Sequence, residues 1–134
     1  MISYYKCDDL DTIDQIKTNF VEDGAYNKEQ IAYELKVNMA TNPNDVCVII
    51  CKDETGKILG HIVGWLPEDR HYAWIDQVWS SVGKKRSLKG FEYFVKWCTE
   101  KGRHEIRMET SRNKMAMARS YGFEEHSTTM RKAL

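Results

Sequence analysis

The stretch HYAWIDQVWSSVGKKRSLKGFEYFVKWCTEKGRHEIRME, His71 to Glu109, decides the fold. His71 to Trp79 is rich in aromatic and β-branched residues and reads as a strand. Gly83 to Arg86 follows as a glycine-started basic loop. Ser87 opens a helix that runs to Lys101 and is closed by Gly102. Its apolar face is Leu88, Phe91, Val95 and Cys98, at helical spacing. Glu105 to Glu109 is a second strand, with Ile106 and Met108 on one face. A strand, a helix and a strand in this order form a parallel crossover unit, so a sheet covered by helices is expected.

The flanking sequence supplies the rest of that sheet. Ile2 to Lys6 reads as a short strand. Asp8, Asp9 and Asp11 can cap a helix carrying Leu10, Ile13, Ile16 and Phe20, which Asp23-Gly24 ends. Asn27 and Gln30 have capping-box spacing for a second helix, with Ile31, Leu35 and Met39 as its stripe and Asn42-Pro43-Asn44 as its stop. Asp45 to Lys52 and Ile58 to Leu66 form a hairpin around the turn Asp53 to Lys57. After the crossover unit, Asn113 to Tyr121 reads as a short helix ended by Gly122. Phe123 to Leu134 holds a last strand, bent or split in two. The order is β-α-α-β-β-β-α-β-α-β: a single α/β (α+β) domain over residues 1–134, with a mixed, mostly antiparallel sheet flanked by about four helices.

Bulk properties exclude several functions. The 134 residues carry 20 Lys plus Arg against 20 Asp plus Glu. That balance lacks the basic excess of a nucleic-acid binder. No apolar stretch approaches the roughly 20 residues of a bilayer span, so no membrane partner is expected. Met1-Ile2-Ser3-Tyr4 lacks the basic start and apolar block of a signal peptide. Cys7, Cys47, Cys51 and Cys98 form no Cys-x-x-Cys pair, so no metal is expected. Cys47, Cys51 and Cys98 lie in apolar runs and read as reduced core thiols of a cytoplasmic protein.

The element order resembles the GNAT superfamily of acyl-CoA N-acyltransferases over nearly the whole chain. Gly56-Lys57-Ile58-Leu59-Gly60 is similar to that family's turn followed by I-x-G entering a strand. Trp74 to Gly102 is similar to its strand, phosphate loop and helix. Asn113, the short helix, Gly122-Phe123 and a last strand are similar to its ending. Two departures stand out. The family's phosphate loop usually reads Arg/Gln-x-x-Gly-x-Gly/Ala, whereas Val82-Gly83-Lys84-Lys85-Arg86-Ser87-Leu88 keeps one glycine and puts a bulky basic residue at the middle one. Ala118 stands where many members place a tyrosine that protonates the departing thiolate.

The resemblance implies an N-acyltransferase that moves an acetyl or other acyl group from acetyl-CoA to an amine of a small molecule or protein. Gly83 permits close backbone approach. Ser87 and Leu88 would offer first-turn amides to the pyrophosphate, with Lys84, Lys85 and Arg86 adding charge. The alternative for this stretch is a solvated basic loop. Val78, Trp79 and Ser80 would run beside the pantetheine arm, a backbone N–H there would stabilise the oxyanion, and Asn113 would join the cofactor contacts. Deprotonating the amine needs a base. Asp76 fits, sharing a face with Tyr72, Trp74 and Val78, where burial would raise its pKa; a surface or salt-bridged aspartate is the other reading. Tyr121 is the preferred thiolate acid by position, against a role in packing. His61 could face the substrate cleft or be an ordinary strand histidine. The two departures support a second reading, a catalytically inactive GNAT-like module serving a homodimer or a viral or multi-protein assembly.

Overall fold

The computed structural model describes residues 1–22, 26–109, 124–126 and 129–134. Among these residues the elements are β1 (Ser3–Lys6), α1 (Leu10–Ile16), α2 (Lys28–Thr41), β2 (Val46–Lys52), β3 (Ile58–Trp65), β4 (Tyr72–Ser80), α3 (Lys84–Glu100), β5 (Glu105–Glu109), β6 (Glu124–His126) and β7 (Thr129–Ala133). The strands form one sheet of order β1-β2-β3-β4-β5-β7-β6. The β4–β5 pair is parallel and every other pair is antiparallel. The expected short helix over Asn113 to Tyr121 and the Gly122-Phe123 pair lie outside the described residues. The last strand is split into β6 and β7, as its length required.

Local chemistry explains the ends. The Asp9 side chain accepts from the amide of Asp11 and caps α1. Thr12 donates its hydroxyl to the same carboxylate at 3.1 Å. Asn27 and Gln30 form the expected capping box on α2. α1 ends at Ile16 and a 3-10 turn, Lys17–Asn19, carries the chain to Phe20. The expected helix is therefore shorter, although Phe20 is still buried. Asp53 gathers the amides of Thr55 and Lys57, and Gly56 takes the left-handed conformation, φ +87°. That closes the β2–β3 hairpin.

The sheet carries a core on each face. On one, Phe91, Phe94, Trp97 and Cys98 of α3 pack on Cys47, Ile49, Ile62 and Ile75. On the other, Ile13, Ile16 and Leu35 of α1 and α2 pack on Val46, Val48 and Ile50. β2 shows why its run of apolar residues was needed: odd positions face α3, even ones α1 and α2. Gly64 makes room for α3, since a Cβ there would sit 2.3 Å from the Phe94 ring. All four cysteines are free and buried. Burial pushes the Cys47 and Cys98 thiols up to about 12.

Candidate active site

β4 and β5 are clamped at one end, and their ladder stops well short of the end of β4. Their parallel ladder runs from Tyr72↔Glu105 to Ile75↔Met108, while β4 continues to Ser80. At the clamped end, buried Glu105 accepts from Arg107, with His71 at 3.4 Å and Arg131 at 3.6 Å. The Arg107 guanidinium lies 4.1 Å from the Tyr72 ring centroid. These contacts fix the strands where they start, and nothing comparable holds them beyond Met108 among the described residues.

A bulge in β4 sits just past the last rung of that ladder. Val63 pairs with Gln77 but Gly64 pairs with Ile75, so Asp76 is the extra residue. A bulge bends its strand and re-aims the side chains that follow. Ala73, Ile75 and then Val78 pack on the α3 side, while Gln77 points the other way and its amide bonds the main chain of Val21. This corrects two expectations. Val78 does not share the face of Tyr72 and Trp74, because the bulge shifts the alternation by one. Asp76 is exposed rather than buried as expected.

The basic stretch is also placed differently. α3 begins at Lys84, three residues earlier than expected, with Gly83 as N-cap. Lysine and arginine are good helix formers, and Gly83 supplies the turn. The amides of Arg86 and Ser87 both donate to the Gly83 carbonyl, at 3.1 and 3.0 Å. Ser87 and Leu88 therefore do not offer first-turn amides. That role falls to Gly83, Lys84 and Lys85, whose amides have no acceptor within the helix. No side chain caps this end, and no acidic residue lies in the first turn.

Two serines and a tyrosine hold the turn in place. The Ser80 and Ser87 hydroxyls are 2.6 Å apart, and the Val82 amide donates to Ser80 at 3.2 Å. Tyr4 donates its hydroxyl to the Arg86 carbonyl at 2.8 Å and stacks on Tyr93. Burial raises the pKa of the Tyr4 hydroxyl and of the Cys51 thiol, against the opposing charge of Arg86. Tyr4 and Cys51 were not foreseen here; Tyr4↔Cys51 and Gly60↔Ser80 register places them in one row across the sheet under α3.

The structure thus brings Val78, Trp79, Ser80, Arg86 and Ser87 together around one cavity of about 70 Å³ that reaches Ile75 and Met108. Asp76 stands at the adjoining bulge. Leu88 packs on the core instead. Tyr121 and Asn113 lie outside the described residues. His61 is buried, with its ring 5.4 Å from Phe20 and 5.9 Å from Trp79. Trp97 fills the core. Among the described residues no cluster of His, Cys, Asp or Glu could hold a metal ion, and no helix is long and apolar enough to cross a membrane.

A bulged β4, a parallel partner whose ladder with it ends at Ile75↔Met108, and a helix that starts just after β4 are features of the acyl-CoA N-acyltransferase (GNAT) fold, and this chain has that fold. Solved structures agree over its full length. The PaiA N-acetyltransferase of Thermoplasma acidophilum, in complex with coenzyme A, matches at 15% identity and TM-score 0.72, covering 100% of this chain and 99% of that one. The ribosomal-protein-S18-alanine N-acetyltransferase of Escherichia coli matches at 12% and 0.71, covering 99% and 94%. Glucosamine-6-phosphate N-acetyltransferase of Arabidopsis thaliana matches at 17% and 0.64, covering 95% and 94%. No protein-family model and no curated protein matches the sequence.

Proposed function

We propose that this protein is an acyl-CoA-dependent N-acyltransferase that acylates an amine of a small molecule or protein. The observation that carries the reading is that the β4–β5 ladder ends at Ile75↔Met108 while β4 runs on to Ser80, beside the uncapped start of α3. The residues present fit coenzyme A. Lys85 and Arg86 put positive charge at the positive end of the helix dipole, with no acid in the first turn to offset it. Like charge there costs about 0.3–1 kcal/mol per residue, and a bound diphosphate reverses the sign. The amides of Gly83, Lys84 and Lys85 would hold that diphosphate.

The thioester supplies the activated acyl group when bound. Around it, the β4 edge from Val78 to Ser80 would align the pantetheine arm and direct a main-chain N–H at the thioester oxygen. Asp76, exposed at the bulge, would take the amine's proton directly or through one water. Tyr121 as thiolate acid and Asn113 as a cofactor contact belong to the same proposal.

Thermal melting with coenzyme A tests this. At 100 times the dissociation constant a ligand adds about 2.7 kcal/mol, which for a domain of this size raises Tm by roughly 10 °C. Acetyl-CoA with amine acceptors should then release free thiol. No Tm shift at millimolar coenzyme A would leave the fold as a non-catalytic module.

A further inference from the structure

The cavity beside the candidate site is apolar where it is deepest. Its inner wall is Ile49, Ile62, Ile75, Phe91 and Met108, each no more than 6% exposed. Its outer rim is Ser80, Arg86 and Ser87, next to the start of α3. The space exists because three residues are small: Cys51 and Gly60 on the sheet and Gly90 on the helix all line it. A Cβ on Gly90 would come within 3.3 Å of the Tyr4 ring. Ile75 and Met108 form the last rung of the β4–β5 ladder, so the cavity reaches the point where that ladder ends.

We propose that this cavity accepts the acyl chain of a short-chain acyl-CoA longer than acetyl. The inference rests on the acyltransferase reading above. Among the described residues no carboxylate lines the space, so a cationic occupant finds no counter-charge there. Apart from the buried His61 imidazole, the inner wall offers hydrocarbon and thiol surface, which holds ordered water poorly. At about 70 Å³ the cavity is about half the size of an apolar cavity of roughly 150 Å³ that takes a benzene ring. Half a benzene ring is about three carbons, so the cavity has room for an acyl chain a little longer than acetyl and suits a butyryl group. Burying each methylene tightens binding about fourfold.

Isothermal titration of the whole protein with coenzyme A, acetyl-CoA, butyryl-CoA and hexanoyl-CoA tests the inference. Butyryl-CoA should bind about tenfold tighter than acetyl-CoA, and hexanoyl-CoA should gain nothing more. Cys51→Leu fills the space and should bring butyryl-CoA down to the acetyl-CoA level while coenzyme A and acetyl-CoA bind as before. Gly90→Ala, which favours the helix, should weaken the butyryl preference in the same direction and serves if the leucine variant does not fold. Butyryl-CoA binding no tighter than acetyl-CoA overturns the inference and leaves the acyltransferase reading standing. A butyryl preference unchanged in both variants also overturns it, because the chain then lies elsewhere. Failure of coenzyme A itself to bind removes the acyltransferase reading, and the inference with it.

Discussion

The side-chain amide of Gln77 pairs with the main chain of Val21 as a neighbouring strand would. Its Oε1 accepts from the Val21 N–H at 2.7 Å, and its Nε2 donates to the Val21 carbonyl at 3.0 Å. Gln77 is only 5% exposed and stands one residue past the Asp76 bulge. The pair ties the segment after α1 to the part of β4 beyond its ladder with β5. A buried amide satisfied twice is a rigid link, because losing either bond strands a polar group.

Replacing Gln77 by leucine keeps the volume and removes both bonds. Stability should fall by about 1–3 kcal/mol, read from denaturant unfolding. If the segment after α1 borders the amine site, KM for the amine should rise more than kcat falls. A Gln77→Leu protein as stable as the parent would show that the link contributes nothing.

Asp76→Asn tests the proton acceptor. The change is isosteric at an exposed position, so the fold should persist. Transfer should drop by about 10²- to 10⁴-fold, and the acidic limb of the kcat/KM profile should disappear. A fully active Asp76→Asn protein would move the role to another group.

The fold was legible because the crossover unit, the hairpin and the capping signals agree with one another. Asn27 with Gln30 and the apolar run of β2 each fixed an element from a few residues. Three parts of the site were not legible. The bulge at Asp76 depends on β3 and β4 pairing with one residue left over, and no single strand carries that register. The start of α3 was misplaced because a basic run reads as a loop, yet its residues favour helix once Gly83 caps them. Tyr4 and Cys51 are far from α3 in sequence and meet it only through sheet register.

Gly64→Ala should be strongly destabilising. The new Cβ would lie 2.3 Å from Phe94 Cζ and 2.8 Å from the Trp74 carbonyl oxygen. The backbone oxygen cannot yield as a flexible side chain would, so a loss of about 1–3 kcal/mol is expected. Far-ultraviolet melting curves check it, and an unchanged Tm would contradict the packing of α3 on β3.

Stability should decline in alkali. The Cys47 and Cys98 thiols titrate near 12 in the folded chain because burial disfavours their thiolates, whereas an unfolded thiol titrates near 8.5. The folded state then binds more protons than the unfolded one between those values. Their contribution is complete below the unfolded pKa and is lost as pH rises toward 12. Tm should fall from about pH 9 upward, and both thiols should resist alkylation at pH 8 until the protein is unfolded. Rapid alkylation of either in the native protein would contradict their burial.

Arg86→Glu should weaken coenzyme A by roughly 10- to 100-fold, the worth of a charge-assisted contact. The wild-type affinity should itself fall with added salt. An affinity indifferent to both would mean that the first turn of α3 does not meet the phosphates.

Coenzyme A titration followed by amide NMR addresses the central claim most directly. The N–H signals of Gly83, Lys84 and Lys85 should shift together with those of Val78 to Ser80, saturating at one equivalent of tightly bound ligand. Unmoved signals at these six residues under millimolar coenzyme A would contradict the account.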